Sequence, residues 1–189
     1  ALAKYAEEHI IVDKIDGVNG NPKHARLFTS SLRRTKLTAR HIKHDILDDG
    51  WIVMRPKVLR NLDEIYAGVF DGYTYEEIQK IAPEEFEARS RNKLGYRYPR
   101  GESYLDVIDR LAPVIHEIER TKDPILVVGH QGILRIIYAY FMDYPREKAP
   151  FEKIPLNTVI KLIPDTYQCK EERICLIPMS NEDKNTPSH

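Results

Sequence analysis

Two stretches of this 189-residue sequence run an apolar segment into a helical pattern and set cations at the join: Phe28 to Thr35 (FTSSLRRT) and Val127 to Arg135 (VVGHQGILR). The first supplies Arg33 and Arg34, the second His130, flanked by two glycines, and Arg135. Positive charge near a helix N-terminus is unfavourable by a few tenths of a kcal/mol to about 1 kcal/mol. An anion placed there reverses the sign and takes up the free backbone N–H groups, and phosphate is the usual one. One such junction can simply point its cations into solvent. Two in one sheet could face the same phosphate.

Two further stretches add chemistry. In NLDEIYAGVFDGYTYEEI, Glu64 stands among Leu62, Ile65 and Tyr66, an apolar setting in which a carboxyl could be tuned toward a general acid; as a turn and its solvated neighbour, Asp63 and Glu64 would do no chemistry. From Arg89 to Arg100 there are five cations, Arg89, Arg91, Lys93, Arg97 and Arg100, with no acid between them and with tyrosines interleaved. Arg89 and Lys93 are four apart and are expected to share a helical face. A solvated basic loop and an RNA-stacking patch are alternatives to a second phosphate site on a sugar, which arginine forks, a lysine and phenols would suit.

The elements that must position these residues follow from pattern. ARLFTSS and PILVVG read as strands, the second as the buried middle of a parallel sheet. RTKLTARHIKHDIL reads as a helix on Leu37, Ile42, Ile46 and Leu47, and GESYLDVIDRLAPVIHEIERT as one with Leu105, Ile108, Leu111, Ile115 and Ile118 on one face. WIVMRPKVL is a short strand, YEEIQKIA and PEEFEARSRNK are short helices, and ILRIIYAYFM is the helix after the second junction. DKIDGVNGNPKH reads as a loop, and TVIKLIPD with YQCKEERICLIP as a terminal hairpin. The order is α/β, a class in which ligands sit beyond the carboxyl ends of strands.

Composition narrows the classes. Lys+Arg and Asp+Glu both number 29, so the net charge is +0, which argues against general attraction to nucleic acid or to a membrane surface. No apolar run approaches the roughly 18 residues of a membrane span. The two cysteines make no disulfide framework, and a reducing cytoplasm is the plain expectation. No HExxH, EF-hand loop or GxxxxGK[ST] occurs, so no metal and no cofactor is expected.

TSSLRRTKLTA, the glutamate of LDEIYAG and GHQG together resemble the histidine phosphatase, or phosphoglycerate mutase-like, family, and TYEEIQ, YRYPRGESY and HQGILR resemble its fructose-2,6-bisphosphatase branch. The resemblance implies a three-layer fold with a mostly parallel central sheet and helices on both faces, over residues 1–178, followed by a polar tail, 179–189. It also implies hydrolysis of fructose 2,6-bisphosphate to fructose 6-phosphate and phosphate. Arg34 and His130 would hold the transferring phosphoryl group, and Glu64 would protonate the leaving oxygen at C2. Tyr75, Arg89, Lys93, Tyr104, Gln131 and Arg135, with help from Arg97, would hold the fructose 6-phosphate part. A 6-phosphofructo-2-kinase domain ahead of the chain is expected, and a homodimer is compatible with the resemblance.

The family opens with a strand ending in Arg-His-Gly, whose histidine is the nucleophile, and no Arg-His-Gly occurs in these 189 residues. Ala3, Tyr5 and Ala6 start in helical register with no cap before them, so the missing strand is expected upstream of Ala1. A phosphoglycerate mutase would need less cationic surface than the cluster from Arg89 to Tyr104 offers. A catalytically silent sugar-phosphate-binding module that regulates an attached kinase is the other alternative, and the residue standing at the nucleophile position separates the two.

Overall fold

The computed structural model describes residues 1–15, 18–166 and 168–177. The chain divides into two compact units, Ala1–Asp63 with Pro113–His130, and Glu64–Ala112 with Gln131–His189. The expected tail, 179–189, lies outside the described residues.

The first unit is built on a parallel sheet of strands β3 (Arg26–Thr29), β4 (Pro56–Val58) and β5 (Ile125–Val128), in the order β4-β3-β5. Leu27 is paired with Leu126 and Pro56, and Thr29 with Val128 and Val58. Pro56 opens an edge strand, where its missing N–H costs the ladder least. Leu27 and Leu126 pack against Ala6 of α1 (Leu2–Ala6) and Ala39 of α2 (Arg33–Ala39), with Ile11, Val53 and Met54 completing that core. Phe28, one residue along, points to the opposite face. There Lys57 lies over its ring at 5.6 Å and bonds Glu117 of helix α5 (Tyr104–Arg120) at 2.6 Å. The sheet is thus flanked by helices on both faces, as expected.

Several expectations change. Among the described residues β5 is an edge strand, and β3 is the central one. The stretch read as a loop holds a short antiparallel pair, β1 (Val12–Ile15) and β2 (Val18–Pro22). Asp16-Gly17, itself outside the described residues, is a hairpin signal that the loop reading absorbed. Helix α2 stops at Ala39, and Leu37 and Ile46 face solvent. Ile46 instead bridges to Ile52, Leu47 N–H donates to Trp51 O at 2.9 Å, and Gly50 takes φ +81°, so the Asp48-Asp49-Gly50 turn folds Val53 and Met54 into the core. Chain reversal by a glycine turn overrode the helical spacing.

The second unit contains α3 (Tyr75–Ile81), α4 (Pro83–Arg91), the first turns of α5, α6 (Gln131–Phe141) and the antiparallel hairpin β6 (Thr158–Pro164) with β7 (Cys169–Cys175). Thr74 caps α3 in a reciprocal box with Glu77, and Pro83 starts α4 where its lost N–H is not needed. Phe70, Ile78 and Tyr98 form a core with Ile65, Tyr75 and Phe86 around it. The buried stripe of α5 is Tyr104, Val107, Leu111, Val114 and Ile115; Leu105, expected inside, is exposed. Cys169 and Cys175 are free thiols at opposite ends of β7, too far apart for a bond. Among the described residues no helix is long and apolar enough to cross a membrane.

Candidate active site

In the first unit, the carboxyl ends of β3 and β5 bring Ser30 and His130 together. His130 is 5% exposed and Ser30 fully buried. The ring's Nε2 lies 2.7 Å from Ser30 Oγ, and its Nδ1 accepts from Arg34 Nε at 2.8 Å. Ser30 Oγ also takes the Leu32 N–H at 3.2 Å and lies 2.8 Å from Thr35 Oγ1. Ser31 is tied down by Asp63, which accepts its backbone N–H at 2.7 Å and its hydroxyl at 2.6 Å. Asp63 therefore fixes the turn between β3 and α2. Leu32, the N-cap of α2, offers no side-chain oxygen to the helix. Arg34 and His130, one from each junction, are in contact, and Arg33 and Arg34 are both exposed.

In the second unit, Glu64 accepts the Ile65 N–H at 3.0 Å through Oε1 and the Gly132 N–H, at the start of α6, at 3.3 Å through Oε2. A Cβ on Gly132 would stand 2.7 Å from Glu64 Oε1, so the second glycine of GHQG leaves room for a carboxylate. The loop holding Glu64 is pinned to the segment before α5: Glu102 N–H donates to Tyr66 O at 2.9 Å, and Val69 N–H to Pro99 O at 3.0 Å. Tyr66 is exposed, so it does not contribute the apolar setting expected of it.

The same unit gathers the cations of the basic stretch. Arg89 donates to the phenol of Tyr98 at 2.7 Å and to that of Tyr75, and its guanidinium lies over the Tyr75 ring at 4.2 Å. Arg135 is buried, donating to Glu152 O at 2.8 Å and to Tyr104 Oη at 3.3 Å. Lys93 Nζ lies 5.1 Å from the Phe151 ring centre. Burial, then the charges of Arg135 and Arg89, push the Lys93 ammonium down to about 8. Among the described residues no carboxylate pairs with Arg89 or Lys93. That arrangement suits a polyanion that arrives with its own negative charge.

One expectation about the basic stretch fails. Arg89 and Lys93 do not share a helical face, because α4 ends at Arg91 and Asn92 leaves the helical region at φ −145°, ψ 73°. Arg97 is largely exposed and pairs with Asp106 at 2.5 Å. Gln131 is the first residue of α6, half-buried, and Arg135 sits one turn deeper in that helix than a first-turn arginine would. Sequence reasoning passed over Ser30, Thr35 and Phe151, and counted Tyr98 only among the tyrosines interleaved in the basic stretch. A serine or threonine at a strand end reads as an ordinary turn residue, and no spacing places Phe151 near Lys93.

A family model for the histidine phosphatase superfamily (branch 1) matches residues 18–175, and the chain belongs to that superfamily. More narrowly, it is 50% identical over 156 residues, 82% of its length, to the 6-phosphofructo-2-kinase/fructose-2,6-bisphosphatase of Arabidopsis thaliana, and 48% identical over 148 residues, 78% of its length, to the fructose-2,6-bisphosphatase of Saccharomyces cerevisiae. The chain spans 20% and 30% of those two relatives. The solved alpha-ribazole phosphatase of Shigella flexneri shares the fold, with a TM-score of 0.65 at 18% identity over 82% of this chain and 76% of that one.

Proposed function

We propose that the protein to which this chain belongs hydrolyses the 2-phosphate of fructose 2,6-bisphosphate through a phosphohistidine, giving fructose 6-phosphate and phosphate in the cytoplasm. The observation that carries the substrate is the cluster of Arg89, Lys93 and Arg135 with tyrosines, a cationic holding site separate in role from the Arg34–His130 pair. The names and identities of the relatives support the same reading. A nucleophilic histidine of the Arg-His-Gly type, absent from these 189 residues, would attack phosphorus in line. Arg34 and His130 stabilise the charge on the phosphoryl oxygens, and Glu64 gives its proton to the oxygen leaving from C2. Glu64, now a carboxylate, takes a proton from water as that water attacks the phosphorus, and the P–N bond breaks to release phosphate and the histidine. Tyr75, Arg89, Lys93, Tyr104, Gln131 and Arg135 hold the 6-phosphate part, and Arg97, paired with Asp106, stands at the margin of that group's role. A 6-phosphofructo-2-kinase domain preceding this chain and the pairing of two copies belong to the same proposal; the composite name of the Arabidopsis relative supports the first.

The test uses a version of the protein that carries the Arg-His-Gly segment, with substrate labelled separately at each phosphate. Label is expected in inorganic phosphate from position 2 and, transiently, on histidine. Release from position 6, or no covalent intermediate in rapid quench, would overturn the proposal.

A further inference from the structure

We propose that Ser30 and Thr35 are positioning residues that, together with Arg34, hold His130 in its Nε2–H tautomer, leaving a bare Nδ1 that accepts from Arg34 and keeps that guanidinium in place for the phosphoryl group. The role of Nδ1 rests on the function proposed above; the tautomer does not. Arg34 Nε always carries its proton, so at 2.8 Å it can only donate, and His130 Nδ1 must accept. The proton of the neutral ring is then on Nε2, which donates to Ser30 Oγ at 2.7 Å. That oxygen already receives the Leu32 N–H, so its two acceptor positions are filled and its own proton is free to go to Thr35 Oγ1 at 2.8 Å. Thr35 passes its proton on to Leu32 O at 2.9 Å, with Ser30 O more distant at 3.3 Å.

The chain of donors has one direction because both ends are fixed. A carbonyl oxygen cannot donate, and a guanidinium cannot accept. Run in reverse, Ser30 would donate to Nε2, and a proton on Nδ1 would face the Arg34 N–H at hydrogen-bond distance. Burial of Ser30, Thr35 and His130, at 0%, 2% and 5% exposure, keeps bulk water from satisfying the reversed order. Ser30 follows β3 directly and Thr35 lies in the first turn of α2, so the strand-to-helix turn that places Arg34 also orients the ring.

The test is histidine-labelled ¹⁵N NMR of the 189-residue chain at a pH where imidazole is neutral, with the His130 signals assigned by their loss in His130→Asn. The expected pattern is a protonated Nε2 and a bare Nδ1. Thr35→Val and Ser30→Ala should move the ring toward a mixture of tautomers, and Thr35→Ser should restore the single form. In the catalytically complete protein, Ser30→Ala should lower kcat by about tenfold with KM unchanged, the effect of one neutral hydrogen bond. A bare Nε2 in the unsubstituted chain would overturn the proposal without needing any variant to fold or any activity. So would a Thr35→Val ring identical to the native one. The Nε2–H pattern in a protein that fails the fructose 2,6-bisphosphate assay would support the tautomer and count against the function alone.

Discussion

Lys93 lies in the cluster with Arg89 and Arg135, where its charge opposes folding and, on the proposed function, would serve binding. From the ordinary lysine value of 10.5, burial first and then Arg135 and Arg89 bring it down to about 8. At about 1.36 kcal/mol per pH unit, this is about 3 kcal/mol against the charged form in the folded chain. Part of the side chain reaches solvent, and screening reduces the figure to ~1–2 kcal/mol. Lys93→Met keeps the stem that packs near Phe151 and removes the charge. The 189-residue chain carrying it should therefore be more stable than the native chain by ~1–2 kcal/mol in urea at about pH 7.

The pH dependence fixes the cause. Between about 8 and 10.5 the unfolded chain keeps the proton on Lys93 while the folded chain has lost it. Stability of the native chain must rise with pH across that window, since the unfolded state binds more protons. The advantage of Lys93→Met should be full below about 8 and gone above about 10.5. A methionine variant less stable than the native chain at about pH 7, or a gap that stays constant with pH, would refute the electrostatic account.

In the catalytically complete protein, Glu64→Gln should lower kcat by about 10² to 10⁴, because the amide keeps the shape and cannot deliver a proton; rapid-quench measurement should show both formation and breakdown of the phosphohistidine slowed. Gly132→Ala should push the Glu64 carboxylate aside, since the new Cβ would stand 2.7 Å from Oε1, so kcat should fall while thermal stability holds or rises with the better helix former. On the proposed function, Arg89→Ala should act chiefly on KM, since the 6-phosphate it would hold does not change in the reaction. The 189-residue chain by itself should release no phosphate from fructose 2,6-bisphosphate, as measured with enzyme free of other phosphatases.

The parts of the site that lie next to each other in sequence were the legible ones. The strand, Ser30, helix and Arg34 follow in one stretch, as do β5, His130 and α6, and parallel pairing of β3 with β5 brings the two together. Helix ends were less legible because a turn overrode spacing, as at Asp48-Asp49-Gly50, or because Asn92 ended α4 before Lys93. Partners that meet only through tertiary packing left no local trace. Thr35 looks like any helical threonine until Ser30 and His130 are set beside it, and the cation–ring contact of Lys93 and Phe151 joins residues far apart in sequence. The face of α5 was misjudged for a related reason: Leu105 and Val107 fit a helical stripe equally well by hydrophobicity, and only packing decided for Val107.

The choice of partners for Arg89 shows how a site can be held together and still remain charged. A carboxylate would fix the guanidinium more firmly, but it would cancel the charge that a phosphate needs. The phenols of Tyr75 and Tyr98 accept its N–H groups, and Tyr75 offers a ring face at 4.2 Å. Burial raises the Tyr98 hydroxyl to about 12 and also raises that of Tyr104, the partner of Arg135, so neither phenol becomes an anion at neutral pH. The charges of Arg89 and Arg135 are felt at Lys93, whose ammonium loses stability to both. An arriving phosphate would reverse that effect, because its negative charge favours the protonated amine that Arg89 and Arg135 disfavour. The strain on Lys93 without ligand and the affinity for a phosphate therefore have one origin, and Lys93→Met should exchange one for the other, gaining stability as KM rises.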